Sequence, residues 1–162
     1  MPKRQVFFSF HYDNDMMRVQ QIRMMGAIDG DLLVNPNTWE GVKAKGETAI
    51  KKWIDDNMQY RTCVIVLIGE QTSNSKWVNY EIQKALAGNR GLFGIYIHNL
   101  KCPRNGYGKQ GESPFNITTL PDGRKLSSII DCYNPNSANA YVDIMNNIEN
   151  WIEKSIKQAG NR

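Results

Sequence analysis

Thr62-Cys63-Val64-Ile65-Val66-Leu67-Ile68-Gly69 is the stretch on which the fold turns. Its unbroken apolar run, rich in β-branched residues and closed by a glycine, suits a strand buried on both faces of a parallel sheet. Working upstream, residues 47–58 read as a helix, with Ile50, Trp53, Ile54 and Met58 on one face. Residues 31–35 form a short strand ended by the turn signal Asn35-Pro36-Asn37. Residues 13–25 repeat Met16, Met17, Val19 and Ile22 at helical intervals behind Asp13, a residue suited to capping. The first strand is Val6-Phe7-Phe8-Ser9-Phe10.

Downstream, residues 75–87 are helical, with Val78, Ile82, Ala85 and Leu86 as the apolar stripe. Residues 91–98 form the fourth strand and residues 127–133 the fifth. Residues 138–159 hold Tyr141, Ile144, Met145, Ile148, Trp151, Ile152 and Ile156 at 3–4 spacing, the clearest helix in the chain. Strands alternating with helices imply right-handed βαβ units. The expected architecture is α/β: a doubly wound, five-stranded parallel sheet with helices on both faces. Ligands of such sheets bind beyond the carboxyl ends of the strands.

One stretch breaks the rhythm. Residues 99–126 carry Pro/Gly turn clusters and almost no periodicity, which predicts a long loop or insertion. They hold Lys101, Arg104, Lys109, Arg124 and Lys125 against Glu112 and Asp122, most of the surplus in a chain with 20 Lys+Arg, 16 Asp+Glu and a formal charge of +4. The whole of 1–162 is expected to be one domain, since 162 residues fit one compact unit. No run approaches the ~20 apolar residues of a membrane span, and the N-terminus lacks a signal-peptide core. A cytoplasmic location is the expectation. Cys63, Cys102 and Cys132 are widely spaced and form no CxxC pair, so no disulfide framework or metal site is expected.

The exit of the first strand, Ser9-Phe10-His11-Tyr12-Asp13, contains no glycine, which argues against a Rossmann dehydrogenase or a P-loop NTPase. The third strand ends Ile68-Gly69-Glu70, without the lone Asp of a response-regulator receiver. The more specific signal is Ser75-Lys76-Trp77-Val78-Asn79-Tyr80-Glu81-Ile82. Trp77 and Glu81 lie four apart and share a helix face, in a helix that opens at the carboxyl edge of the sheet. A surface glutamate beside a half-buried tryptophan is the bland alternative. Ser9, His11 and Tyr12 sit where the first strand exits and Asn99 follows the fourth, so each is a candidate to line the same crevice. Phe8 and Phe10 fit a buried strand, and Cys63 and Cys132 fit small buried apolar positions.

The run Lys3-Arg4-Gln5-Val6-Phe7-Phe8-Ser9-Phe10-His11-Tyr12, followed by an acidic residue, and the S-x-W-V-x-x-E-I pattern of residues 75–82 resemble the Toll/interleukin-1-receptor (TIR) superfamily. They resemble most closely its bacterial ThsB branch, found in Thoeris anti-phage defence. The resemblance covers residues 3–98; beyond 99 it extends to the fold and not to motifs. It implies a flavodoxin-like domain that cleaves the nicotinamide–ribose bond of NAD, with Glu81 as the catalytic residue. Trp39 and Glu40 would lie in the segment beside the pocket and at assembly contacts. The resemblance further implies NAD as substrate with no permanently bound cofactor, and self-association on activation. A phage-derived trigger is expected, and a cyclic ADP-ribose isomer that activates a separate effector protein.

The chemistry of the residues is compatible, because an oxocarbenium-like ribosyl state is stabilised by one carboxylate and needs neither metal nor thiolate. The alternatives are a relative that yields linear or conjugated ADP-ribose, and a non-catalytic interaction module. Nucleic-acid binding through the basic loop is the weakest reading, because Tyr107 and Phe115 are its only aromatics.

Overall fold

The computed structural model describes residues 5–23, 41–102 and 106–161; the side chains of residues 12–14, 16 and 23 lie outside that description. Four strands, β1 (Val6–Ser9), β2 (Cys63–Ile68), β3 (Gly91–Tyr96) and β4 (Cys132–Tyr133), form one sheet in the order β1-β2-β3-β4. Every pairing is parallel. Among the described residues, four α-helices flank it: α1 (Tyr12–Arg23), α2 (Glu47–Met58), α3 (Lys76–Ala87) and α4 (Ala140–Gly160).

The β2 run behaves as its composition requires. All six of its side chains are 0% exposed. Because successive side chains of a strand point to opposite faces, Cys63, Ile65 and Leu67 pack with Val19 and Ile22 of α1 and Ile144, Ile148 and Ile152 of α4. Val64, Val66 and Ile68 pack on the other face, with Ile50 and Ile54 of α2 and Val78, Ile82 and Ala85 of α3. Each such aliphatic side chain contributes about 1.5–3 kcal/mol of burial free energy, so the two faces together form the core that holds both helix layers.

Register places Ser9, Val66, Gly94 and Cys132 in one row across the sheet. A Cβ at Gly94 would come within 2.8 Å of Ile68 Cδ1 and 3.0 Å of Phe115 Cε2. That glycine therefore makes room for Phe115, a fully buried residue that the 99–126 segment inserts beneath the sheet. The segment is an irregular excursion, as its composition predicts, yet it is firmly seated. Arg18 of α1 donates from Nε to the Leu100 carbonyl (2.9 Å) and from Nη2 to the Gly106 carbonyl (2.9 Å). Leu100, Ser113, Phe115 and Leu126 are buried along its length.

Three expectations change. The sheet has four strands among the described residues, not five; the expected second strand, residues 31–35, lies outside them. The expected strand over 127–133 contracts to Cys132–Tyr133, and Leu126–Ser128 is a 3-10 turn. Burial of Leu126 and a Ser128 Oγ bond to the Lys125 carbonyl (2.7 Å) turn the chain there before it reaches β3. Finally, α1 begins at Tyr12, with the His11 carbonyl accepting from Asp15 N at 3.0 Å, so Asp13 sits in the first turn and not at the cap. The helices over 75–87 and 138–159 appear within two residues of their expected bounds.

Candidate active site

The buried stripe of α3 consists of Val78, Glu81, Ile82 and Ala85. Glu81 thus occupies a position where helical periodicity calls for an apolar side chain. Helix α3 starts just past the carboxyl end of β2, because Gly69 N donates to Thr72 Oγ1 (2.8 Å) and the chain makes one 3-10 turn over Thr72–Asn74. Ser75 then caps α3, its Oγ accepting from Val78 N at 3.3 Å. Strand parity sends Phe8 and Phe10 to the α1/α4 face and Ser9 to the α3 face. There Ser9 Oγ donates to Glu81 Oε1 at 2.8 Å, across 72 residues of sequence. Ser9 is 0% exposed and Glu81 3%.

Burial governs the carboxyl group. Removal from water penalises its charged form and pushes its pKa up to about 8, against the smaller opposing effect of the Ser9 hydrogen bond. At neutral pH the resting group is therefore mostly protonated. A cationic ligand placed beside it would favour the ionised form. A buried carboxyl group with a raised pKa at the carboxyl end of a parallel sheet is a candidate functional group, because ligands of such sheets bind there.

Around the pair, the same edge gathers polar groups that the sequence reading did not single out. Asp15 is 1% exposed, and its carboxylate lies directly against the α-carbon of Gly69. Arg18, one turn further along α1, is 7% exposed. Its positive charge, together with burial as the larger cause, holds the pKa of His98 below the usual imidazole value. Glu70 accepts from Lys109 N at 2.7 Å and closes the excursion over the end of β2. The available signal was an acid and a base three residues apart in an otherwise Met-rich helix segment.

The predicted site residues fare differently. Ser9 and Glu81 are brought into contact. His11 stands two residues beyond Ser9, half-buried, and its Nδ1 has no hydrogen-bond partner among the described residues. Trp77 lies one turn before Glu81, half-buried, its ring edge-on to Tyr80 (5.9 Å) with Lys76 Nζ 5.2 Å from its centroid. Tyr80 in turn donates to Asp55 of α2 (2.9 Å), so Trp77 belongs to the α2–α3 seam. Asn99 is directed elsewhere: its Nδ2 donates to the Pro135 carbonyl (3.2 Å), and it lines a small cleft against the start of α4. Tyr12 opens α1, with its side chain outside the description, and Trp39 and Glu40 lie outside the described residues. The thiol of Cys63 is buried and pushed up to about 12, which leaves it inert as a nucleophile. No cluster of His, Cys, Asp and Glu among the described residues could hold a metal ion.

A parallel α/β sheet with a buried glutamate on the helix after β2, held by a serine from the end of β1, defines a TIR-like domain. The family model described as "Thoeris protein ThsB, TIR-like domain" matches residues 7–102, and the chain belongs to that family. It is also 32% identical over 140 residues to a protein of Bacillus cereus (strain MSX-D12) named "Putative cyclic ADP-D-ribose synthase ThsB1", an alignment covering 78% of this chain and 69% of the relative.

Proposed function

We propose that this protein is an NAD-consuming enzyme that breaks the nicotinamide–ribose bond and rejoins the ADP-ribose end to end as a cyclic isomer. The observation that carries this reading is the buried Ser9–Glu81 pair at the carboxyl edge; the name of the Bacillus cereus relative supports the product class. Cleavage releases neutral nicotinamide, which takes the bonding electron pair, and leaves an oxocarbenium-like ribosyl centre. The ionised Glu81 carboxylate, in a dry site where electrostatics are strong, stabilises that centre and orients the ribose hydroxyls. A hydroxyl of the same ADP-ribose then bonds to the anomeric carbon and gives up its proton. The balance is one NAD to one cyclic product, one nicotinamide and one proton. Ser9 keeps the carboxylate oriented and lowers the cost of ionising it.

In this reading the product is a diffusible signal in anti-phage defence that activates a separate effector, and NAD is a substrate without a resident cofactor. Self-association, a phage-derived trigger and pocket roles for His11, Tyr12, Trp39, Glu40 and Trp77 are parts of the same proposal. The test is mass spectrometry of nucleotides from infected cells expressing the wild type or Glu81→Gln. A cyclic ADP-ribose isomer that appears only with the wild type is expected. A linear or conjugated ADP-ribose would redirect the chemistry to hydrolysis or transfer. Equal NAD consumption by both proteins would remove Glu81 from the mechanism, and no consumption by either in infected cells would favour an interaction module.

A further inference from the structure

The excursion ends in a hairpin. Thr119 bridges Lys125 in antiparallel fashion, Leu120 N donates to the Arg124 carbonyl at 2.8 Å, and the Leu120-Pro121-Asp122-Gly123 turn closes with Gly123 N donating to the Leu120 carbonyl at 2.9 Å. Gly123, at φ 92°, supplies the left-handed residue that this turn requires. The hairpin tip stands off the end of α3 and the last turn of α4, and a cavity of about 760 Å3 lies between them. Asn89, on its wall, precedes the first residue of β3, whereas Ser9 and Glu81 meet at the last residue of β1. The cavity is therefore at the amino edge of the sheet, remote from the candidate active site.

Its chemistry is distinct. Leu86, Leu120, Pro121 and Ile129 give it apolar walls. Asn89, Gln158 and Asn161 supply three carboxamides, each with donors and an acceptor. Gln158 is oriented by the bond from its Nε2 to Asp131 Oδ2 (3.1 Å). The two charged residues of the lining, Arg124 and Asp122, are paired with each other at 2.7 Å. An anion or a cation would have to compete with that pair, and an uncharged molecule would not. The volume lies within the roughly 300–1,000 Å3 of small-molecule sites and exceeds what a single ring fills.

From these features we infer that the amino-edge cavity is a second ligand site, for an uncharged, nucleoside-sized heterocycle whose flat face lies on the apolar walls and whose polar edge meets the carboxamides. The inference does not rest on the NAD-consuming reading. The probe is adenosine, titrated into the full chain and followed by ligand-observed NMR, with AMP as the charged comparator. Saturable adenosine binding is expected, weaker by about tenfold or more for AMP. Leu120→Glu, which puts a charge on the wall, should abolish it. Gln158→Ala, which leaves the packed core untouched, should weaken it several-fold while melting at the wild-type temperature, and Glu81→Gln should bind as the wild type does. Absence of saturable binding to the wild type overturns the inference, as does binding that survives both cavity variants or is lost in Glu81→Gln, since adenosine would then be at the carboxyl edge.

Discussion

The middle of β2 and the carboxyl edge a few residues further on are equally dry and chemically opposite. Ile65 sits inside an apolar cluster, and both faces of the strand are filled by the cores under α1/α4 and α2/α3. At the edge, Ser9, Glu81, Asp15 and Arg18 are buried to the same degree, yet all are polar or charged. Burial of apolar area stabilises the fold. Burial of an ionisable carboxyl group costs stability unless it stays protonated or gains partners. The middle of the sheet adds stability, and the edge carries buried polar groups whose desolvation opposes it.

The comparison can be broken or sharpened by experiment. The largest effect belongs to the middle: Ile65→Ala should cost about 2–5 kcal/mol of unfolding free energy, read from denaturant melts, because its cavity cannot collapse between two packed layers. A cost near zero would mean that the sheet is not closed on both faces. Next, Glu81→Gln should keep the fold and lose about 10²–10³ or more in NAD turnover, measured as nicotinamide release from triggered cells.

The same substitution should behave differently in stability. The folded pKa of Glu81, about 8, lies above its ordinary value of 4.5, so the favourable contribution of the protonated group is fully present below about pH 4.5 and is lost as pH rises through about 8. Wild type should therefore weaken relative to Glu81→Gln by ~3 kcal/mol between about pH 6 and pH 9, and level off above that. Parallel pH profiles for the two proteins would show that Glu81 is not buried in solution.

A smaller effect is expected at Ser9. Ser9→Ala removes the hydrogen bond that favours the ionised carboxylate, so the pH at which kcat/KM reaches half its maximum should move upward, by about one unit. An unmoved profile would make Ser9 a packing residue only. Smallest of all, Lys52→Ala, which deletes an exposed i,i+4 pair with Asp56, should leave the melting temperature unchanged.

Much of this layout was legible in the chain. The β2 run and the 3–4 spacing of α4 are local signals, and the structure follows both. The strand expected over residues 127–133 is shorter than the sequence suggests because the whole stretch is apolar enough for a strand, and pairing is confined to Cys132–Tyr133. For the site, spacing placed Glu81 and Trp77 on one helix face, but it could not separate a surface glutamate from a buried one. Asn99 looked equivalent to Ser9 as a residue near a strand exit, and its amide is directed to Pro135 instead.

By itself the sequence determined the parallel α/β class and the family, because periodicity and the S-x-W-V-x-x-E-I pattern are properties of neighbours within a few residues of one another. Only the tertiary structure decided that Ser9 meets Glu81, that Arg18 ties the excursion to α1, and that the hairpin walls a cavity at the far edge. Those contacts join residues dozens of positions apart. Strand register and helix packing set them, and no local pattern encodes either.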